Sequence, residues 1–306
     1  MITTSPAEFL ATCTRLPAIA EARTTAKAAF LVAPAADGFA TESARDNRYM
    51  RLDAGFDVAR ALLQHAALAQ ALRVDVPVVT FPGDPETPDA MFPNNVFATA
   101  PGRLIVGAMR HAVRQREAAR GDIRGFFRDV MDYTEVDLSR RADCVAELTG
   151  SLVIDHARGI GYCGLSERCD MAGAGAMHDA FGLRLTFAFE LAKGEYHTNV
   201  VMASLAGRGV ILASDGFADT TVPRAIAQAH DGRAIMLAPE QKRAYAGNAI
   251  TLSGDRVWMS EQAASSLTHA QRAVLTTDWG FALGSVPLDE IEKAGGSLRC
   301  CVGEIF

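Results

Sequence analysis

The feature that most narrows the folds open to this chain of 306 residues is a repeat with a period of about 51 residues. Asn95, Glu147, His197, Asn248 and Cys300 stand at equivalent points, separated by 52, 50, 51 and 52 residues. After each of the first four comes a short apolar strand, a turn, a second strand and a helix, and the clearest copies add a returning strand. One copy runs through Phe97-Ala98-Thr99, a turn at Pro101-Gly102, Arg103-Leu104-Ile105-Val106 and an Arg/Ala-rich helix. The next runs through Ser151–Asp155, Gly159–Gly164, a helix around 172–180 and a strand at 183–187. The third has strands at 200–203, 209–213 and 234–237, and the fourth has strands at 249–252 and 256–260 with a helix through 270–275. Near the start, a strand from residue 28, a periodic helix over 53–72 and a strand at 76–81 supply most of a fifth unit, which a strand at 300–306 would complete. Units this small cannot bury their own apolar faces, so they stack into an array or close into a ring. The ring is the preferred reading, as one α/β domain over residues 1–306 with 1–27 as an N-terminal extension packed on it.

A ring brings the starts of its units to one axis. That places a thiol, an imidazole, a carboxylate and two amides together, although 205 residues separate Asn95 from Cys300. Taken singly, a cysteine is a small core residue, His197 one of seven histidines and Glu147 a solvated carboxylate. Together they form a candidate cysteine-nucleophile site: thiol, acid/base partner and substrate-holding carboxylate. Asn94 and Asn95 also suit a plain turn. The net charge of −6 comes without a dense basic cluster, so the expected partner is a small molecule rather than nucleic acid or a membrane. No apolar run reaches the 18 or so residues of a membrane span, and the first residues lack a secretory pattern. Six cysteines without CxxC or zinc-type spacing fit reduced thiols in the cytoplasm, with no metal expected.

Asp89-Ala90-Met91-Phe92 with Asn94-Asn95, then Glu147, Gly164-Leu165-Ser166-Glu167-Arg168, His197-Thr198-Asn199 and Gly295-Gly296 through Arg299-Cys300 resemble the guanidino-group-modifying superfamily. Arginine deiminase, dimethylarginine dimethylaminohydrolase, amidinotransferases and citrulline-utilising hydrolases belong to it. The resemblance covers about residues 28–306. It implies the five-bladed, pseudo-fivefold α/β propeller called a pentein, and chemistry through a covalent thio-intermediate without a cofactor. It also implies Cys300 as nucleophile, His197 as general acid/base and Glu147 as the carboxylate on the substrate nitrogens. Arg114 and Arg168 match arginines that hold an α-carboxylate, with surface ion pairs as the plain alternative. Asp89 matches a polar pocket position or a loop cap, and Asn94, Asn95, Asn199 and Asn248 complete the substrate-binding set.

Arginine deiminases carry aspartates where Asn95 and Asn199 stand here. Neutral amides suit a neutral ureido group better than a buried cation, so citrulline, cleaved to ornithine, ammonia and carbon dioxide, is the expected substrate. Arginine dihydrolysis, deimination and dimethylarginine hydrolysis are the alternatives, and a non-catalytic pentein acting as a binding surface is another. The segments 83–93 and 191–196 are the candidate lids. The oligomeric state is left open, with a homodimer among the options.

Overall fold

Glycine decides where each unit turns back. Gly102 and Gly207 lie at φ +69° and +74°, backbone that costs glycine little and other residues more. Each sits in the turn of an antiparallel hairpin. Phe97–Ala100 pairs with Arg103–Val106, Leu152–Asp155 with Ile160–Leu165, and Met202–Leu205 with Gly209–Ala213. In each unit a helix then carries the chain over the sheet, so the last strand returns parallel to the second. Thr134–Asp137, Leu185–Glu190 and Ala234–Leu237 are these returning strands. Val78–Phe81 returns in the same sense beside Ala28–Val32, and Ala282–Val286 beside Arg256–Ser260.

The computed structural model describes residues 1–17, 19, 23–35 and 39–306, and these form a mixed α/β fold with five separate sheets. Gly303–Ile305 pairs antiparallel with Ala28–Val32, tying the chain's end to its first long strand. Of the 1–27 extension, residues 18 and 20–22 lie outside the described residues. Ile2–Thr3 adds a parallel edge to Leu185–Glu190. Ser5 caps the helix Pro6–Cys13 that follows, and its Phe9 stacks on Phe187 with ring centroids 4.4 Å apart. Among the described residues, no helix is long and apolar enough to cross a membrane.

The units differ in detail from the sequence expectation. The helix expected over 53–72 is Val58–Leu72, because Asp57 caps it by accepting from Arg60 N. The fourth hairpin shrinks to one bridge, Ile250 with Trp258. Its leading residues are spent on turns, from Tyr245 N to Lys242 O and from Asn248 N to Tyr245 O. Cys300 does not begin a strand. It lies in a turn where the N–H groups of Cys300 and Cys301 both reach Ser297 O, and the strand starts only at Gly303.

One feature of every well-formed unit escaped the strand pattern: a single helical turn before the hairpin. Pro93–Asn95, Leu148–Ser151 and Thr198–Val201 are these turns, and they pack on one another. Glu147 and His197 occupy N-cap positions, yet neither side chain caps its helix. Both are thereby left for other partners.

Candidate active site

The five equivalent positions form one buried cluster. Glu147, with no exposed surface, accepts from His197 Nε2 at 2.8 Å, Asn95 Nδ2 at 3.2 Å, Arg168 Nη1 at 3.2 Å and the Arg110 N–H at 3.2 Å. Cys300 Sγ lies 3.3 Å from Asn248 Nδ2 and 3.7 Å from Asn199 Nδ2. Asn95, His197 and Cys300 line one small cavity, which joins the two halves of the cluster.

Burial and charge set the protonation states. Burial by itself would raise the Glu147 carboxyl, but the Arg168 charge and the His197 hydrogen bond hold it well below the usual carboxylate range. Burial lowers His197 below its ordinary value, with Glu147 opposing, so the ring is neutral near pH 7. Because Nε2 faces a carboxylate it carries the proton, leaving Nδ1 as the basic nitrogen. Burial also pushes the Cys300 thiol up, against the hydrogen bonds from the Ser297 backbone and Asn248. At neutral pH the site therefore holds a thiol and an imidazole, not a preformed ion pair.

Both arginines sit inside, not on the surface. Arg168 is 2% exposed and its whole fork is engaged: Nε and Nη2 on Asp46 at 2.9 and 2.6 Å, Nη2 on Ser43 O and Nη1 on Glu147. Arg114 donates through Nη2 to Asn95 Oδ1 at 2.6 Å and Phe92 O at 2.9 Å, and its Nε lies 2.9 Å from Glu117. Burial raises the Glu117 carboxyl well above its ordinary value despite that neighbour. Asp89 accepts from Ala40 N at 2.8 Å and from Ser43 Oγ at 2.5 Å, so it holds a loop as well as lining the cavity. Asn94 lines the same cavity, and its Nδ2 is buried without a hydrogen-bond partner.

The segments 83–93 and 191–196 supply wall residues: Asp89 and Phe92 from the first, Tyr196 from the second. A cover that the sequence did not signal comes from residues 40–51. Its Ser43, Asn47 and Met50 line the cavity. Polar ties hold it: Asp46 to Arg168 and His111, Asn47 Nδ2 to Gly295 O, and Arg48 and Tyr49 to Glu195. The paired glycines let cover and wall approach. A Cβ on Gly295, at φ +83°, would fall 2.5 Å from Asn47 and Met50, and one on Gly296 2.8 Å from the Phe92 ring. Nor does the sequence signal Gly150: a Cβ there would fall 2.7 Å from the His197 imidazole. With the cover in place the cavity measures about 20 Å³, room for a water or two. Among the described residues, no group of three or more His, Cys, Asp or Glu side chains is placed to hold a metal ion.

Fold and cluster together define a member of the guanidino-group-modifying superfamily, a hydrolase of carbon–nitrogen bonds other than peptide bonds. The family model described as N,N dimethylarginine dimethylhydrolase, eukaryotic, matches residues 33–306, and the chain belongs to that family. The uncharacterised protein YkgA of Bacillus subtilis (strain 168) is 24% identical over 239 residues, 78% of this chain and 77% of its own length. Among solved structures, the substrate-bound N-terminal domain of ArgZ, an arginine dihydrolase from the ornithine–ammonia cycle in cyanobacteria, superposes with a TM-score of 0.76. It is 18% identical, covering 90% of this chain and 98% of that one. DDAH from Pseudomonas aeruginosa, a cysteine-to-serine mutant complexed with citrulline, gives 0.69 at 20% identity, covering 92% and 100%. At such identities these likenesses speak for the fold.

Proposed function

We propose that this guanidino-group hydrolase acts on the neutral ureido group of citrulline, releasing ornithine, ammonia and carbon dioxide. The observation that carries the reading is the saturation of Glu147. Its oxygens already serve Arg168, Asn95, His197 and a backbone N–H, and the groups nearest Cys300 Sγ are the amides of Asn199 and Asn248. Of the site's carboxylates only Asp89 has no cationic partner, and its oxygens are taken by Ala40 N and Ser43 Oγ. No carboxylate oxygen is free for a cation, whose uncompensated burial costs several kcal/mol. The unpaired Asn94 Nδ2 adds to this, since a guanidinium has only donors and a ureido oxygen accepts.

In this reading the five sheets are the blades of a pentein ring, with the cluster at its axis. Cys300 is the nucleophile. Its thiol proton passes to Nδ1 of His197 as the sulfur bonds to the ureido carbon, and the imidazolium so formed gives that proton to the departing nitrogen as one carbon–nitrogen bond breaks. The imidazole then takes a proton from water, whose oxygen adds to the carbon as the sulfur leaves. The carbamic acid released splits into carbon dioxide and the second amine. Asn94, Asn95 and Asn199 orient the group while Glu147 holds Asn95 and His197 in place, and this positioning lowers the barrier by several kcal/mol. Arg114 and Arg168 serve the α-carboxylate once Asp46 and the 40–51 cover give way, since a cavity for a water or two is too small for an amino acid.

The test is purified protein assayed for ornithine from citrulline, with Cys300→Ser beside it. Ornithine from the wild type and none from the variant is expected. A second reading, arginine dihydrolysis, keeps the same residues and is favoured by the ArgZ likeness. If arginine or dimethylarginine turns over much faster than citrulline, the ureido assignment fails.

A further inference from the structure

We propose that Asn248 is the hydrogen-bond donor that stabilises the Cys300 thiolate, acting on the reacting sulfur and not on the substrate. The inference rests on Cys300 as nucleophile, and goes beyond it by giving the thiolate its partner.

The Asn248 amide is pinned at both ends. Its Oδ1 accepts from the backbone N–H of Arg299 at 2.9 Å and of Cys300 at 3.4 Å, which fixes the end that carries oxygen. Its Nδ2 then donates to the Asn199 carbonyl at 2.8 Å and turns its second hydrogen to Sγ at 3.3 Å. The side chain is fully buried, so it cannot rotate to bind anything else without breaking four contacts. Asn199 lies side-on to the sulfur, with Oδ1 at 3.8 Å and Nδ2 at 3.7 Å. It suits either state of the sulfur, accepting from a thiol or donating to a thiolate after an amide flip. Asn248 offers a donor only, and a donor favours the thiolate.

The other ionisable groups around the sulfur do not replace it. Burial pushes the Tyr196 and Tyr245 phenols and the Cys301 thiol well above their usual values, keeping them neutral. Arg299, on the same turn, is held by Glu304 at 2.8 Å. His197 is neutral, and Glu147 is committed to Arg168. The Asn248 amide thus joins the Ser297 backbone N–H in easing the ionisation of a buried thiol, and it is the side-chain donor nearest the sulfur.

The test needs no substrate. Iodoacetamide alkylation of Cys300 is followed against pH, with the modified residue located by fragmenting the labelled peptide, since Cys301 shares that peptide. Asn248→Ser removes the Nδ2 donor from the sulfur and leaves only a shorter hydroxyl, which can still accept from the turn. It is expected to raise the midpoint by about one pH unit, cutting the alkylation rate at pH 7 about tenfold. On the natural substrate kcat should fall while KM holds. Asn248→Asp, which keeps the shape and replaces donor by acceptor, is expected to raise the midpoint further, and it carries the test if the serine variant is insoluble. A wild-type midpoint in either soluble variant overturns the proposal, even with activity lost. An active Cys300→Ser would instead overturn the nucleophile reading beneath it.

Discussion

Replacing Gly150 by alanine tests whether the His197 ring has any freedom. Gly150 has ordinary backbone and lies in the helical turn Leu148–Ser151, so alanine is acceptable to the chain itself. The new methyl, however, would fall 2.7 Å from Nδ1 and Cε1, about 0.7 Å inside an ordinary contact of 3.4 Å. The ring cannot retreat without loss, since Nε2 is bonded to Glu147 at 2.8 Å and the Tyr196 ring lies 4.5 Å away. A shift of that size takes the bond to the limit of hydrogen bonding. Misplacing a reacting group by about 1 Å costs roughly 100-fold in rate. Stability should change far less, because overpacking of about 1–3 kcal/mol is partly offset by about 0.4–1 kcal/mol from a stiffer unfolded chain. The assay is kcat on whichever ureido or guanidino substrate the wild type turns over, beside urea denaturation of both proteins. A roughly hundredfold lower kcat in a folded variant is expected. Wild-type kcat in folded Gly150→Ala refutes the reasoning.

Other perturbations have equally definite outcomes. Lys242 and Glu195, both at most 2% exposed on their side chains, pair at 2.7 Å. Lys242→Met removes one charge-assisted bond to Glu195 while Arg48 and Tyr49 still hold the carboxylate, and should cost about 1.5–3 kcal/mol in chemical denaturation. Burial lowers His65 from 6.5 to about 4, so between these values the unfolded chain binds the extra proton and stability is lost as pH falls. The full effect is roughly 3 kcal/mol, and His65→Gln should flatten the pH dependence of the urea midpoint below pH 6.5. A Cβ on Gly303 would fall 2.1 Å from the Phe30 ring, so Gly303→Ala should lower stability by about 1–3 kcal/mol, read as a lower Tm.

The hairpins and the one-turn helices before them show how far a sequence carries the fold. Short apolar runs rich in β-branched residues, such as Leu104-Ile105-Val106 and its equivalents, mark strands, and glycines at 102 and 207 mark their turns, because these are local preferences of side chain and backbone sterics. The one-turn helices at 148–151 and 198–201 left no such mark. Four residues are too few for a helical period, and their geometry is held by packing against each other.

By itself, then, the sequence determined the repeat, the α/β class and the equivalence of Asn95, Glu147, His197, Asn248 and Cys300. Covalent order and periodicity suffice for these. Only the tertiary structure decided what each does beside its neighbours: that Asp46 occupies the Arg168 fork, that residues 40–51 cover the cavity, and that Gly150 exists to admit an imidazole. Those facts depend on contacts between residues up to 248 positions apart, and no local propensity encodes them.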